Sequence, residues 1–111
     1  MQRIDGMTAS WLAARLGISP ERIEVLRRGG ELVGVRRASG ERVFPAWQFG
    51  RDLRPLPAVR RLVAAARERG LGDERLHAIV SMRNGLTGGR LGDSIVAHEE
   101  QILRAIAQAS V

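Results

Sequence analysis

The stretch "ISPERIEVLRRGGELVGVRR", Ile18 to Arg37, decides the fold. Ser19 is a good N-cap, because its hydroxyl can accept from a free N–H in the first helical turn. Pro20 follows at the first helical position, where its missing N–H costs nothing. Ile23 and Leu26 stand three apart and share a face. Gly29 and Gly30 can take the positive φ that ends a helix. A helix over 20–28 is therefore predicted. "ELVGVRR" then has strand character, and "ASGE" (Ala38–Glu41) can turn it back into "RVF".

Working outward, a first helix is predicted over 9–16, with Thr8 as its cap and Gly17 as its stop. Trp11, Leu12 and Leu16 fall at helical spacing and form its expected inward face. Two short helices joined by a glycine turn make a helix-turn-helix. The hairpin after it forms a two-stranded wing.

Charge is distributed unevenly along the chain. The net charge is +6, and all 18 basic residues are Arg. Residues 1–50 carry 8 Arg against 5 acids, residues 51–75 carry 7 against 4, and residues 76–111 carry 3 against 3. An anionic partner is expected for the first two thirds, and a different task for the end. Guanidinium also suits forked contacts to phosphate or guanine. Apolar residues make up 44% of the 111, but aromatics only 4%, so the core must be aliphatic. There is no cysteine, hence no disulfide, thiolate or Cys-based zinc chemistry. No apolar run approaches a membrane span or a signal core, which leads us to expect a cytoplasmic protein without membrane contact.

"PAWQFGRDLRPLP" (Pro45–Pro57) holds three of the four prolines and reads as a link. Trp47 and Phe49 are expected to pin it to the core rather than to stack on bases. A third helix is predicted from Pro57 to Arg69, with Val59, Leu62, Val63 and Ala66 as its apolar stripe. A fourth runs from Glu74 to about Arg83, capped by Asp73, with Leu76, Ile79, Val80 and Met82 inward. "RNGLTGGRLGD" is a glycine-rich loop. The last helix covers about 94–109, with a possible break near His98 where the apolar run pauses at "HEEQ". The domain boundary is placed at residue 50: a winged helix-turn-helix over 1–50 and a three-helix unit over 51–111. The expected fold class is mainly α.

Catalytic chemistry finds little support. His77 and His98 are 21 residues apart, without metal-ligand spacing around them. "GLTGGRLGDS" lacks the Gly-Lys-Ser/Thr ending of a phosphate loop and no parallel-sheet pattern precedes it. No enzyme activity, metal or other cofactor is expected.

"MTASWLAARLGISPERIEVLRRGGELVGVRRASGERVFP" resembles the winged helix-turn-helix of MerR-type regulators and phage excisionases. "FPAWQF", followed by two helices and "RNGLTGGRLGDSIVAHEEQILRAIAQA", is similar to the C-terminal domain of MbcA/ParS/Xre-type antitoxins. Gly92 stands where that family commonly has a helix-starting Pro, and His98 where it commonly has Gly. The resemblances imply a DNA-binding transcriptional regulator of antitoxin type with a toxin-binding or dimerising C-terminal end. A toxin would meet Arg83, Asn84, Leu86, Ile102, Leu103 and Ile106, and the tail "RAIAQASV" would approach its active site.

The DNA-facing candidates are Arg22, Arg27 and Arg28 on the second helix and Arg36, Arg37 and Arg42 around the wing turn. Arginines at a ribbon tip can hold backbone phosphates or enter a minor groove. With Ile23 and Leu26 inward, at about 100° per residue, the outward face holds Glu21, Val25 and Arg28, with Glu24 alongside. Two carboxylates there oppose phosphate contact unless paired or aimed at a cytosine amino group. One such small domain binds DNA weakly, so a homodimer on paired half-sites of double-stranded DNA is expected. A protein-interaction module that does not read DNA, and an excisionase-like architectural protein, remain the alternatives.

Overall fold

A computed structural model describes residues 6–82 and 91–109, without the side chain of Asp93. Among these residues the chain is mainly helical with one small antiparallel sheet. Strand β1 (Gly6–Thr8) leads into α1 (Ala9–Leu16) and α2 (Pro20–Arg28). Strands β2 (Val35–Arg36) and β3 (Arg42–Pro45) follow, then α3 (Ala58–Glu68), α4 (Asp73–Val80) and α5 (Ile95–Gln108).

Local chemistry sets the first two helices. Thr8 Oγ1 accepts from Trp11 N at 3.1 Å, and Gly17 ends α1 at φ +70°. Ser19 Oγ accepts from Arg22 N at 3.1 Å, ahead of Pro20. Gly30, not Gly29, takes the positive φ after α2, at +79°. The end of α2 is then closed from a distance. Arg67 of α3 donates through Nη1 to Arg28 O at 2.9 Å and through Nη2 to Arg27 O at 3.0 Å. Carbonyls at a helix C-terminus lack the usual partner four residues on; Arg27 O also accepts from Gly30 N at 3.1 Å, and a cation suits the negative end of the helix dipole.

The sheet has three strands where the sequence predicts two. Its order is β1-β3-β2, with Met7 opposite Phe44 on one side of β3 and Val35 opposite Val43 on the other. "GMT" is too short to carry an alternating pattern, so β1 has no signal of its own.

Successive strand residues face opposite ways, and this sheet buries both faces. Phe44 joins Leu12, Ala13, Ile23 and Leu32 in a core beneath the helix-turn-helix. Val33, Val35 and Val43 join Val59, Leu62, Leu76, Ile79, Ile102 and Ile106 in the core of the C-terminal helices. Packing therefore crosses the boundary drawn at residue 50, since residues ahead of it complete the second core.

Trp11 departs from its expected inward place. It is 42% exposed, and the guanidinium of Arg15 lies 5.1 Å from its ring centroid. Met82 is likewise about half exposed rather than inward. Asp73 does not cap α4: the N-cap position falls on Gly72, which has no side chain, and Asp73 is the first residue of the helix, its carboxylate accepting from Gly34 N. Helix α5 is continuous through His98. Ser94 caps it by accepting from Ala97 N at 3.3 Å. The space at Gly92 explains the absence of proline: a Cβ there would lie 2.8 Å from Val80 Cγ1 and 3.2 Å from Trp47 Cβ.

The link pins to both cores. Trp47 packs against the C-terminal core and Phe49 against the helix-turn-helix core. Between them Gln48 is completely buried. Its Oε1 accepts from Val33 N at 2.7 Å, and its Nε2 donates to Val33 O at 2.7 Å and Pro45 O at 3.0 Å. The amide thus stands in for a strand neighbour beside Val33. Gln48→Leu keeps the volume but orphans both polar groups of Val33. The expected loss is about 2–4 kcal/mol, read as a lower midpoint in urea unfolding. An unchanged midpoint would mean that these bonds contribute nothing net.

Candidate nucleic-acid interface

The wing and α2 share one side of the molecule, and the register shows why. Val35 and Val43 face the C-terminal core, so their neighbours Arg36 and Arg42 project from the opposite face. Phe44 belongs to that opposite face too and packs under α1 and α2. Arg36 and Arg42 are a direct cross-strand pair. The stems of Arg42 and Arg27 converge on Gly34, where a Cβ would lie 2.8 Å from Arg42 Cδ and 3.0 Å from Arg27 Cδ. Gly34 therefore suits this close approach: a Cβ there would displace the two arginine stems and the Phe44 ring that meet over it.

An ion network holds this junction. Arg27 Nε lies 3.0 Å from both carboxylate oxygens of Glu24, and its Nη2 bonds the same group. Asp73, on α4, accepts from Gly34 N at 3.0 Å and lies 3.9 Å from Arg27 Nη1. Arg42 Nη1 donates to Gly34 O at 3.2 Å. The hydrogen bond from Arg27 holds the Glu24 carboxyl below its usual range, with Arg42 and Arg28 adding to the effect. Burial pushes the Asp73 carboxyl above its usual range, opposed by the Gly34 N–H and by Arg27.

The six candidate arginines divide accordingly. Arg22 and Arg36 are exposed and have no acidic partner among the described residues. Arg36 bonds Gly40 O at 3.2 Å, bending over the turn. Arg28 has a side chain 76% exposed, with Nε 3.6 Å from Glu24. Arg37 is exposed at the tip, 3.4 Å from Glu41. Arg42 is half-buried by its contact with Gly34. Arg27 is turned inward, its side chain only 19% exposed, and serves as a strut between α2 and α4. The feared pair of carboxylates also divides: Glu24 is neutralised in place, and Glu21 is exposed.

The arginines of residues 51–75 are largely engaged within the molecule. Arg60 pairs with Glu31 at 2.6 Å, Arg61 with Glu99 at 2.6 Å, and Arg69 donates to Ala109 O at 2.9 Å. Together with Arg67 on the end of α2, they account for much of the positive excess that the sequence suggests for an anionic partner.

The proposed partner surface fares differently. Ile102 and Ile106 are 0% and 1% exposed within this chain's own core, and Leu103 is half-buried against it. Ile102 and Ile106 are thus enclosed by this chain and cannot face a partner, whereas Leu103 keeps part of its surface. Arg83, Asn84 and Leu86 lie outside the described residues. The first part of the tail is helical: α5 continues to Gln108 and Arg69 holds the next carbonyl, while Ser110 and Val111 lie outside the described residues. On α5 the exposed large apolar residue is Val96, at 66%.

The histidines act separately. His77 Nδ1 accepts from Trp47 Nε1 at 3.1 Å with the rings stacked, and His98 Nδ1 lies 3.0 Å from Ser94 O. Among the described residues no group of three His, Cys, Asp or Glu side chains is arranged to hold a metal ion. No helix among them is long and apolar enough to cross a membrane.

Gln48, Asp73 and Arg67 are absent from the sequence-based site. Their partners lie 15, 39 and 39–40 residues away, beyond the reach of any local pattern.

Among solved structures, the fold is similar to that of Rv2175c, determined by NMR. The TM-score is 0.82 at 22% identity, over 98% of this chain and 84% of that one. At that identity the likeness shows a shared fold alone. No family model matches the chain, and no curated protein matches it.

The Arg61–Glu99 pair gives a pH prediction. The hydrogen bond from Arg61 lowers the folded-state pKa of Glu99. Its stabilisation is therefore present above the unfolded pKa and lost as pH falls through the folded one. Glu99→Gln should be less stable than wild type at pH 7, and the gap should close as pH falls below the ordinary carboxylate range and through the lowered pKa of Glu99. A gap independent of pH would assign the effect to packing.

Proposed function

We propose that this protein is a double-stranded-DNA-binding transcriptional regulator that holds its operator with the wing and α2. One observation carries this reading. The cross-strand pair Arg36 and Arg42 lies on the helix-turn-helix side of the sheet, beside an α2 whose Arg22 and Arg28 are exposed. With Arg37 at the wing tip, Arg22, Arg28 and Arg36 make four exposed guanidinium groups on two adjacent elements, which suits a duplex: the helix for the major groove, the wing for the flanking phosphates. Phosphate contacts of this kind supply affinity and little sequence choice.

A homodimer on paired half-sites follows from the small number of phosphate contacts one copy can make. The antitoxin assignment rests on the resemblance of residues 44–109. With Ile102 and Ile106 buried, a toxin would have to meet other residues of that half, Val96 among them.

The second reading, an interaction module that does not touch DNA, is favoured by Glu21, an unneutralised carboxylate on the outward face of α2. Binding to random and native upstream duplexes across a salt series separates the two. The regulator binds, weakens steeply as salt rises, and prefers its own upstream sequence. The interaction module shows no binding at low salt while remaining folded. For the regulator, Arg36→Ala weakens every sequence alike and reduces the log–log salt slope by about 1. Arg61→Gln, which alters an internal ion pair, leaves that slope unchanged. An Arg36→Ala protein with the wild-type slope would remove the wing from the interface.

A further inference from the structure

Helix α2 carries two exposed residues that phosphate contact does not explain, although the Glu21 carboxylate also suits the positive end of the helix dipole. Val25 is 52% exposed and belongs to neither core. It stands mid-helix among charged neighbours, with Ile23 buried on the opposite side. One turn earlier, Glu21 is exposed and has no ion-pair partner among the described residues. Its counterpart Glu24 is held by Arg27 and so is committed to the scaffold. A free carboxylate facing a polyanion is repulsive, and a bare isopropyl group gains nothing from phosphates. Both become favourable against base edges. The 5-methyl of thymine is the apolar feature of the major groove, and the 4-amino group of cytosine is a donor that a carboxylate accepts.

We propose that Val25 and Glu21 are the base-reading pair of α2: Val25 packs on a thymine methyl group, and Glu21 accepts from a cytosine amino group close by. Four residues rise about 6 Å along a helix, and successive base pairs are about 3.4 Å apart. The thymine and cytosine are therefore one or two steps from each other. The arginines around them hold the backbone while these two side chains select the site. This inference rests on the duplex-binding reading above.

The test begins with the full chain selecting duplexes from a randomised library. Each thymine of the enriched duplex is then replaced by deoxyuridine, which pairs identically but lacks the methyl group. At one position wild-type affinity should fall about three- to fivefold, the scale of one methyl group leaving an apolar contact. Val25→Ala should show a similar initial weakening and no further loss at that position. Glu21→Ala should relax the preference for cytosine one or two steps away. Val25 lies outside both cores, so Val25→Ala should stay close to the wild-type unfolding midpoint, and Glu21→Ala should lower it only by the loss of one carboxylate from the first turn of α2. Val25→Ala retaining the full response to deoxyuridine, or no thymine mattering, would overturn the proposal while leaving DNA binding intact. Failure of wild type to bind any duplex at low salt would instead overturn the parent reading, and this one with it.

Discussion

A single amide, the side chain of Gln48, occupies the seam on which the molecule depends. It bonds both polar groups of Val33 from a place with no solvent access. Val33 belongs to the C-terminal core, whereas the residue before it, Leu32, belongs to the core of the helix-turn-helix. At this point the chain leaves one core for the other before β2 begins, with no sheet neighbour to satisfy its backbone. Buried peptide groups without partners are costly, so the crossing requires a donor and an acceptor together. A carboxamide supplies both. Trp47 and Phe49, on either side of Gln48, then anchor the link into the two cores.

Around that seam the arginines divide into two populations. Arg67 closes α2, Arg60 meets Glu31, Arg61 meets Glu99, and Arg27 joins Glu24 near Asp73. Arg67, Arg60 and Arg27 orient the helix-turn-helix on its C-terminal support, and Arg61 ties α3 to α5. Arg22, Arg28, Arg36 and Arg37 retain exposed side chains on α2 and the wing. The net charge of +6 hides this distinction. Its functional meaning lies in which guanidinium groups remain available after the internal ones have found carbonyls and carboxylates. Asp73 links the populations: it holds Gly34 at the root of the wing and lies near the strut on α2.

The boundaries of α1 and α2 were legible because their causes are local. Thr8, Gly17, Ser19 and Pro20 act within one turn of where they stand, and α1 and α2 follow their signals. The stripe Val59, Leu62, Val63 and Ala66 was legible through its period, and all four residues are buried. The strand β1 was not, because three residues cannot show alternation and the pairing with β3 is a tertiary fact. Nor could apolar character distinguish a residue facing its own core from one facing a partner. Ile102 and Ile106 have the same chemistry in either role, and the packing of α5 on α3 decides between them. At the candidate interface the arginine positions were legible. The inward turn of Arg27 was not, because it depends on Asp73 in another helix.

The central claim is that α2 and the wing present one continuous face to a duplex. Amide chemical shifts of the labelled full chain, followed during titration with a short double-stranded DNA, test it most directly. The account predicts that signals from Ser19 to Arg28 and from Arg36 to Arg42 move together at one stoichiometry, while those of α5 hold still. Movement confined to α5, or of the wing without α2, would contradict it.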